Sequence, residues 1–413
     1  MKFGLIGKDV RNSFSKSIHE QLGYEYDLVS LNEIELEEFL IKKDFKGINV
    51  TIPYKQEVIK HLHFSSPSVK KIGACNCIVN EEGFLMGYNT DYDGVEYLIE
   101  KNNFQVKNKN VLILGTGGTC KTVSSVLNDL GVRKIYVASR NPKDNQYSYQ
   151  DIYKLDINLI VNTTPNGMIG YSDDLLVDLE KFKSLEGVID VIYNPLKTTL
   201  LSKATELDIP NCNGLDMLIY QAIKASELFN NTKISDEVIS KIKEKILLEK
   251  LNIVLVGLPG CGKTTHGKLI AKQLNKEFVD IDALIVEKEN RSINEIFKED
   301  GEAYFRNLET EFCKELSLKN NLVISTGGGV VLNKENIKHL SKNGLIVFMD
   351  KDIELFKISD KRPLTRNKEE LKKLRDSRYN LYLSSCDVLV NLTNDKDKNL
   401  ERILEVVYEV INS

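Results

Sequence analysis

The sequence predicts an α/β protein of two or three domains built on largely parallel sheets. Three observations predict it. Short apolar runs alternate with helix-patterned stretches along the whole chain. Two glycine loops of different design, within Val111–Thr122 and Leu251–Thr265, each follow an apolar run and precede a helical pattern. The chain has 413 residues, enough for two or three separate cores.

In chain order, the predicted strands are KFGLIG, GINVTI, NVLILG, KIYVAS, NLIVNT and GVIDVI, then NIVLVG, LVISTG, LIVFMD and DVLVNL. Each is a short run of mainly Val, Ile and Leu bounded by polar or glycine residues. SDEVISKIKEKILLEK, from Ser235, has Ile and Leu at three- and four-residue spacing, and Ser235 suits its N-terminal cap. An apolar strand follows it almost at once. The clearest boundary therefore falls near Leu248–Lys250, with no flexible linker. The two halves do not resemble each other, so the chain reads as a fusion rather than a duplication.

Composition narrows the function classes. A formal charge of -4 gives no bulk attraction to nucleic acid or anionic membrane. No run reaches the roughly 18 apolar residues of a membrane span. MKFGLIGKDV reads as a first strand, not a signal peptide. The seven cysteines are scattered, with Cys75 and Cys77 forming a lone CxC, so free thiols in a reducing cytoplasm are expected. His19 reads as a packing residue. His61, His63, His266 and His339 show no partner pattern for a metal.

The later loop fits GxxxxGK[ST] through Gly257, Gly260, Gly262, Lys263 and Thr264. Glycines let backbone N–H groups turn inward around phosphate oxygens. Lys263 reaches the outer phosphates, and the Thr264 hydroxyl suits Mg²⁺. The earlier loop, with Gly115, Gly117 and Gly118, lacks the third glycine of GxGxxG, because Cys120 stands there. It fits a dinucleotide site and an ordinary strand-to-helix turn equally. The next strand ends in Arg140, with Lys143 close by. Arg there suits the extra phosphate of NADP, whereas an acid would suit the ribose of NAD.

The first half, about Lys2 to Leu248, resembles shikimate dehydrogenases through GLIGKDVRNSFSKSIHEQL, GINVTIPYKQEVI, IGACNCIV, GYNTDYDG, NTTPNGM, DVIYNPLKTTLL and GLDMLIYQA. The resemblance implies a substrate α/β domain over residues 1–94, a Rossmann-type NADP domain over 95–214 and returning helices over about 215–248. It implies Lys55 and Asp91 as the catalytic pair. Ser13, Ser15, Thr51, Asn76, Tyr193 and Gln221 would hold substrate. Gly115, Gly117, Gly118, Thr119, Ser139, Arg140, Lys143, Thr163 and Gly214 would line the NADPH site. The chemistry agrees, since an ammonium can polarise a ketone and donate a proton while a carboxylate holds it. The stretch from Asn141 to Asp156 is short for the family, so a helix is expected to be trimmed there.

The second half resembles shikimate kinases over nearly all of residues 250–413. The resemblance rests on FVDIDALIVEKENRSINEIFKEDGEAYFRNLE, VISTGGGVV, RPL and RYNLY behind the phosphate loop. It implies a parallel sheet with a lid over residues 249–413. Arg306 and Arg378 would take the carboxylate of a small acidic polyol, and Asp282 with Gly327, Gly328 and Gly329 its hydroxyls. Asp282 would orient or deprotonate the hydroxyl that receives the phosphoryl group. Gly257, Gly260, Cys261, Gly262, Lys263, Thr264 and Thr265 would hold ATP, Thr264 and Asp280 would hold Mg²⁺, and Arg362 would close on the transferring group. In the lid, Lys357 stands where relatives often place an Arg that packs on adenine.

Together the halves imply a cytoplasmic enzyme that reduces 3-dehydroshikimate with NADPH and phosphorylates the shikimate formed. No nucleic acid or membrane partner is expected, and oligomeric state is left open. Two alternatives stand beside it: a quinate enzyme using NAD, and a shikimate- or quinate-sensing protein with weak or no catalysis. A sensing protein is expected to lack Lys55, Asp91, Lys263 or Asp282, and all four are present.

Overall fold

The computed structural model describes residues 1–11, 13–356 and 368–412. It divides into two compact units, Met1–Ile246 and Leu247–Ser413.

The first unit holds two six-stranded sheets. One runs Asp27–Ser30, Phe3–Gly7, Gly47–Val50, Cys77–Glu81, Phe84–Tyr88, Phe64–Ser65. Its first three strands are parallel, with helices Ser15–Gln21 and Glu33–Lys42 in the crossovers. Cys77–Glu81 and Phe84–Tyr88 form an antiparallel hairpin. Glu82 and Gly83, at φ 51° and 88°, make the turn that matches the twist of the two strands.

The other sheet is wholly parallel, in the order Asn211–Cys212, Gly187–Asp190, Leu159–Asn162, Asn110–Leu114, Lys134–Ala138, Gln146–Tyr147. The order reverses between Asn110–Leu114 and Leu159–Asn162, and ligands of such sheets bind outside the strand ends at that switch. Val111 to Leu114 are fully buried, as expected of a strand covered on both faces. Between Lys134–Ala138 and Leu159–Asn162 there is no α-helix. The two-residue strand Gln146–Tyr147 and the 3₁₀ turn Asp151–Lys154 take its place, and Ile152, Tyr149 and Tyr153 cover that face.

Two long helices, Thr90–Lys101 and Leu215–Asn230, lie side by side. Tyr97 and Tyr220 stack at 4.0 Å. Gly94 permits the close approach, because a Cβ there would sit 2.7 Å from the Met217 carbonyl oxygen. Phe229, near the end of the second helix, stacks on Phe3 of the first sheet at 5.5 Å. His19 is fully buried and stacks on Tyr26 at 4.1 Å.

The second unit has one parallel sheet, in the order Glu277–Asp280, Leu322–Ser325, Asn252–Val256, Gly344–Lys351, Val388–Leu392. Asn252–Val256 is central and fully buried, and it delivers the phosphate loop at its C-terminal end. Leu247, where this unit begins, lies inside the helix Asp236–Lys250. The buried Lys276 ammonium donates to the carbonyls of Leu248 and Leu251 (the latter at 2.8 Å) and to Asn321 Oδ1 at 3.1 Å. A cation thus satisfies carbonyls that the helix end leaves open. Burial lowers its pKa to about 8. Among the described residues no helix is long and apolar enough to cross a membrane. All seven cysteines are free thiols.

Candidate active sites

In the first unit, Lys55 follows the strand Gly47–Val50 and Asp91 lies in the first turn of Thr90–Lys101. The Lys55 ammonium donates to Asp91 Oδ2 at 2.7 Å, and both side chains keep part of their surface in solvent. The segment around them is knitted by buried bonds. Cys75 N–H donates to the Lys55 carbonyl at 2.7 Å. Asn76 accepts from Thr90 N–H at 2.7 Å and donates to Thr90 Oγ1 at 3.1 Å. Asn89 caps the same helix by accepting from Tyr92 N–H at 3.1 Å. The expected Asn76 is therefore a buried brace for the turn that carries Asp91. Thr51 packs its methyl against Gly7.

Ser13 donates to Ser15 at 3.1 Å, and Phe14 between them meets Tyr193 edge-on at 6.1 Å. That contact brings the Ser13–Ser15 turn to the Tyr193 loop, although 178 residues separate Ser15 from Tyr193 in sequence (193 − 15). Gln221 lies beside Gly94, three residues from Asp91, and donates to the Leu218 carbonyl at 2.8 Å.

The Tyr193 loop has its own anchor, which sequence reasoning missed. Asp190 is fully buried. It accepts from Asn162 Nδ2 at 3.0 Å, Ile192 N–H at 3.1 Å and Thr198 Oγ1 at 2.7 Å. Burial raises its pKa to about 6 against the pull of these bonds.

The expected dinucleotide residues gather at the switch of the parallel sheet. Gly117 precedes the helix Gly118–Asp129, and a Cβ on Gly117 or Gly118 would meet nothing within 4 Å. The helix N-terminus is thus open to a pyrophosphate. Gly115 lies against Thr163 and Thr164 of the neighbouring strand end, and Thr163 Oγ1 donates to the Leu114 carbonyl at 2.8 Å. Ser139 accepts from Asn141 N–H at 3.2 Å, and Arg140 and Lys143 are exposed beyond it. Gly214 passes so close to the Val191 backbone that a Cβ would collide.

In the second unit one cavity of about 600 Å³ takes in the phosphate loop, Asp280, Asp282, Arg306, the triple glycine and Arg378. Lys263 opens the helix Lys263–Gln273 and donates to the carbonyls of Gly257 at 2.7 Å and Leu258 at 3.1 Å. Thr264 Oγ1 donates to Asp280 Oδ2 at 2.7 Å and lies 3.5 Å from Ser325 Oγ. This set of oxygens is the hard donor chemistry that Mg²⁺ prefers. Cys261 is buried and packs against Gly257, so of the expected loop residues it serves packing.

Arg378 donates to the Gly328 carbonyl at 2.7 Å, as does Tyr382 at 2.5 Å. Arg306 donates to Glu302 at 2.9 Å and to Glu309 at 2.9 Å. Asp282 Oδ1 and Glu309 Oε1 are buried without a hydrogen-bond partner, and both face Gly327. Burial and then Asp280 push the Asp282 pKa up, while Lys263 and Arg306 pull it down. Burial likewise raises Glu309, against Arg306. Glu309 was missed in sequence, although it stands three residues after Arg306 on the same helix face. Arg362, with Lys357 and the rest of the expected lid, lies outside the described residues.

Comparison with known proteins follows the same division. The shikimate dehydrogenase substrate binding domain model matches residues 5–78, and the shikimate kinase model matches residues 259–411. A shikimate dehydrogenase (NADP(+)) of Clostridium beijerinckii is 36% identical over 253 residues, which are 57% of this chain and 94% of that protein.

The chain belongs to the shikimate dehydrogenase family. Behind that half it carries a shikimate kinase domain. Among solved structures, the shikimate dehydrogenase half is similar to a chorismate mutase/shikimate 5-dehydrogenase fusion protein from Clostridium acetobutylicum. The TM-score is 0.56 at 33% identity, covering 59% of this chain and 96% of that one. It is also similar to a quinate dehydrogenase from Corynebacterium glutamicum in complex with NAD, with a TM-score of 0.55 at 26% identity, covering 60% and 98%.

Proposed function

We propose that this chain is a bifunctional enzyme of aromatic amino acid biosynthesis. Its first unit reduces 3-dehydroshikimate to shikimate with NADPH, and its second phosphorylates shikimate to shikimate 3-phosphate with ATP and Mg²⁺. The observation that carries the proposal is that a polar set suited to its reaction gathers in each unit among the described residues. Lys55 pairs with Asp91 at 2.7 Å, and one cavity joins the phosphate loop to Asp282, Arg306 and Arg378. The product of the first reaction is the substrate of the second.

NADPH supplies the hydride, ATP the phosphoryl group, and Mg²⁺ neutralisation of phosphate charge. The chain supplies the rest. In the first unit the Lys55 ammonium donates its proton to the ketone oxygen, and the Asp91 carboxylate holds it in place. Ser13, Ser15, Thr51, Tyr193 and Gln221 offer the substrate hydroxyl and amide groups, and Asn76 braces the turn that carries Asp91. Arg140 and Lys143, exposed past the second strand of the nucleotide sheet, favour NADP over NAD.

In the second unit, Arg306 and Arg378 hold the substrate carboxylate. Asp282, which lines the cavity and has one buried oxygen without a hydrogen-bond partner, accepts the hydroxyl that is phosphorylated. Thr264 and Asp280 hold the metal, and Lys263 is stationed over the loop. Most of the acceleration then comes from orientation and charge. We read the enzyme as cytoplasmic, and its free thiols support that reading.

The test is one incubation of the chain with 3-dehydroshikimate, NADPH, ATP and Mg²⁺, with products read by mass. Shikimate 3-phosphate is the expected product. Shikimate without its phosphate would remove the kinase assignment, and unchanged substrate would favour a sensing protein. Replacing NADPH by NADH, and shikimate by quinate with NAD in the reverse assay, separates this enzyme from a quinate dehydrogenase.

A further inference from the structure

We infer that His266 and Asn399 are positioning residues that hold the Gly262–Lys263 peptide of the phosphate loop in its phosphate-binding orientation. The inference rests on residues 257–264 being the ATP phosphate loop of the kinase.

His266 is buried, one turn into the helix Lys263–Gln273. Its Nδ1 lies 3.0 Å from the Gly262 carbonyl oxygen, which also accepts the His266 backbone N–H at 2.9 Å. A carbonyl oxygen only accepts, so Nδ1 carries the proton and Nε2 the lone pair. Nε2 faces Asn399 Nδ2 at 3.5 Å. The Asn399 amide is itself oriented from the other side. Its Oδ1 accepts from Thr393 N–H at 2.8 Å and from Thr393 Oγ1 at 3.1 Å, and its Nδ2 donates to the Thr393 carbonyl at 2.9 Å. A buried chain of polar groups therefore runs from the start of the last helix, Lys396–Asn412, through Asn399 and His266 to the loop.

The loop needs such a clamp at this point. Gly262 has φ 112°, a region where only glycine is unstrained, and its following peptide plane can turn at little cost. The peptide is planar and trans, so its C=O and N–H point in opposite directions. Fixing the Gly262 oxygen on one side fixes the Lys263 N–H on the other. That N–H belongs to the set of inward-turned donors that cradle phosphate oxygens. The imidazole also occupies the space beside Gly262, where a Cβ would come within 3.0 Å of Nδ1. Lys263 Nζ holds the opposite end of the loop through Gly257 and Leu258. Both ends are thus braced by side chains of one helix.

The test compares His266→Leu, His266→Asn and Asn399→Leu in the full chain, with ATP affinity read by calorimetry and KM read for ATP and for shikimate. His266→Leu is expected to weaken ATP about five- to tenfold, the effect of one lost hydrogen bond, with the shikimate KM within twofold of wild type. His266→Asn restores a donor to the Gly262 carbonyl and is expected to recover most of the loss. Asn399→Leu is expected to fall between. ATP affinity within twofold of wild type in His266→Leu would overturn the inference. So would equal loss for ATP and shikimate that the Asn variant does not separate, since that pattern is general unfolding of the site. Failure of the wild type to phosphorylate shikimate would instead remove the kinase assignment, and the ATP calorimetry would still decide the role of His266.

Discussion

Substituting Gly329→Ala puts one methyl group against the guanidinium of Arg306. Gly329 has φ −110° and ψ 2°, which alanine adopts without strain. The perturbation is therefore purely steric. An ideal Cβ would lie 2.5 Å from Arg306 Cζ and closer still to both terminal nitrogens. Ordinary contact needs about 3.5 Å, so the guanidinium must retreat by roughly 1 Å. Its bonds to Glu302 and Glu309, both 2.9 Å, then stretch to the edge of hydrogen bonding. The end of an Arg side chain can yield, so the fold should survive. The bond from Arg306 to the substrate carboxylate should not. A charge-assisted hydrogen bond contributes about 1.5–3 kcal/mol, so the KM for shikimate should rise roughly 10- to 150-fold. A coupled kinase assay at saturating ATP measures this, with the dehydrogenase rate of the same chain fixing the active concentration. A shikimate KM within threefold of wild type would refute the placement of Arg306 on the carboxylate.

Lys55→Ala should lower NADPH oxidation at least about 100-fold and leave ATP-dependent phosphorylation of added shikimate unchanged; equal loss of both activities would count against two separate sites. Arg140→Ser should raise the KM for NADPH about tenfold or more while that for NADH stays put, as steady-state kinetics with both cofactors would show. Burial holds the Asp190 pKa at about 6, above the roughly 3.9 of an unfolded chain, so the folded state keeps the proton between these values. Its contribution to stability is complete below about pH 4 and is lost as pH rises past about 6, on the order of 2–3 kcal/mol. The difference in urea midpoint between wild type and Asp190→Asn should therefore change across pH 4–6.5; a constant difference would show that Asp190 does not titrate there.

How much of this was legible depended on the range over which each signal acts. All ten apolar runs became strands, most of them because a strand buried on both faces needs a continuous apolar stretch; Val388–Leu392 is an edge strand that alternates buried and exposed residues. Asp27–Ser30 was not read as one, since as an edge strand it leaves both ends exposed. The hairpin partners gave only short runs, Cys77–Glu81 because it ends in Asn80 and Glu81 and Phe84–Tyr88 because Gly87 interrupts it. The Lys55–Asp91 pair spans 36 residues and was reached through ordered motifs, not through local pattern. Glu309 could have been found from its spacing to Arg306. His266 could not, because its partner Asn399 is 133 residues away and no periodicity links them. Asp190 lay inside the predicted strand GVIDVI without standing out, and two of its three partners, Asn162 and Thr198, lie outside that run.

The ammonium of Lys276 determines where the kinase half can be cut free. Its acceptors include the Leu248 carbonyl, which comes before the first strand of that half. A fragment starting at Leu251 would discard this acceptor and place a new terminal amine next to a buried cation. One starting a turn or more earlier keeps the acceptor and moves the new charge away. A gene segment meant to encode the kinase half alone should therefore include the end of the preceding helix, although the matched residues begin only at Pro259.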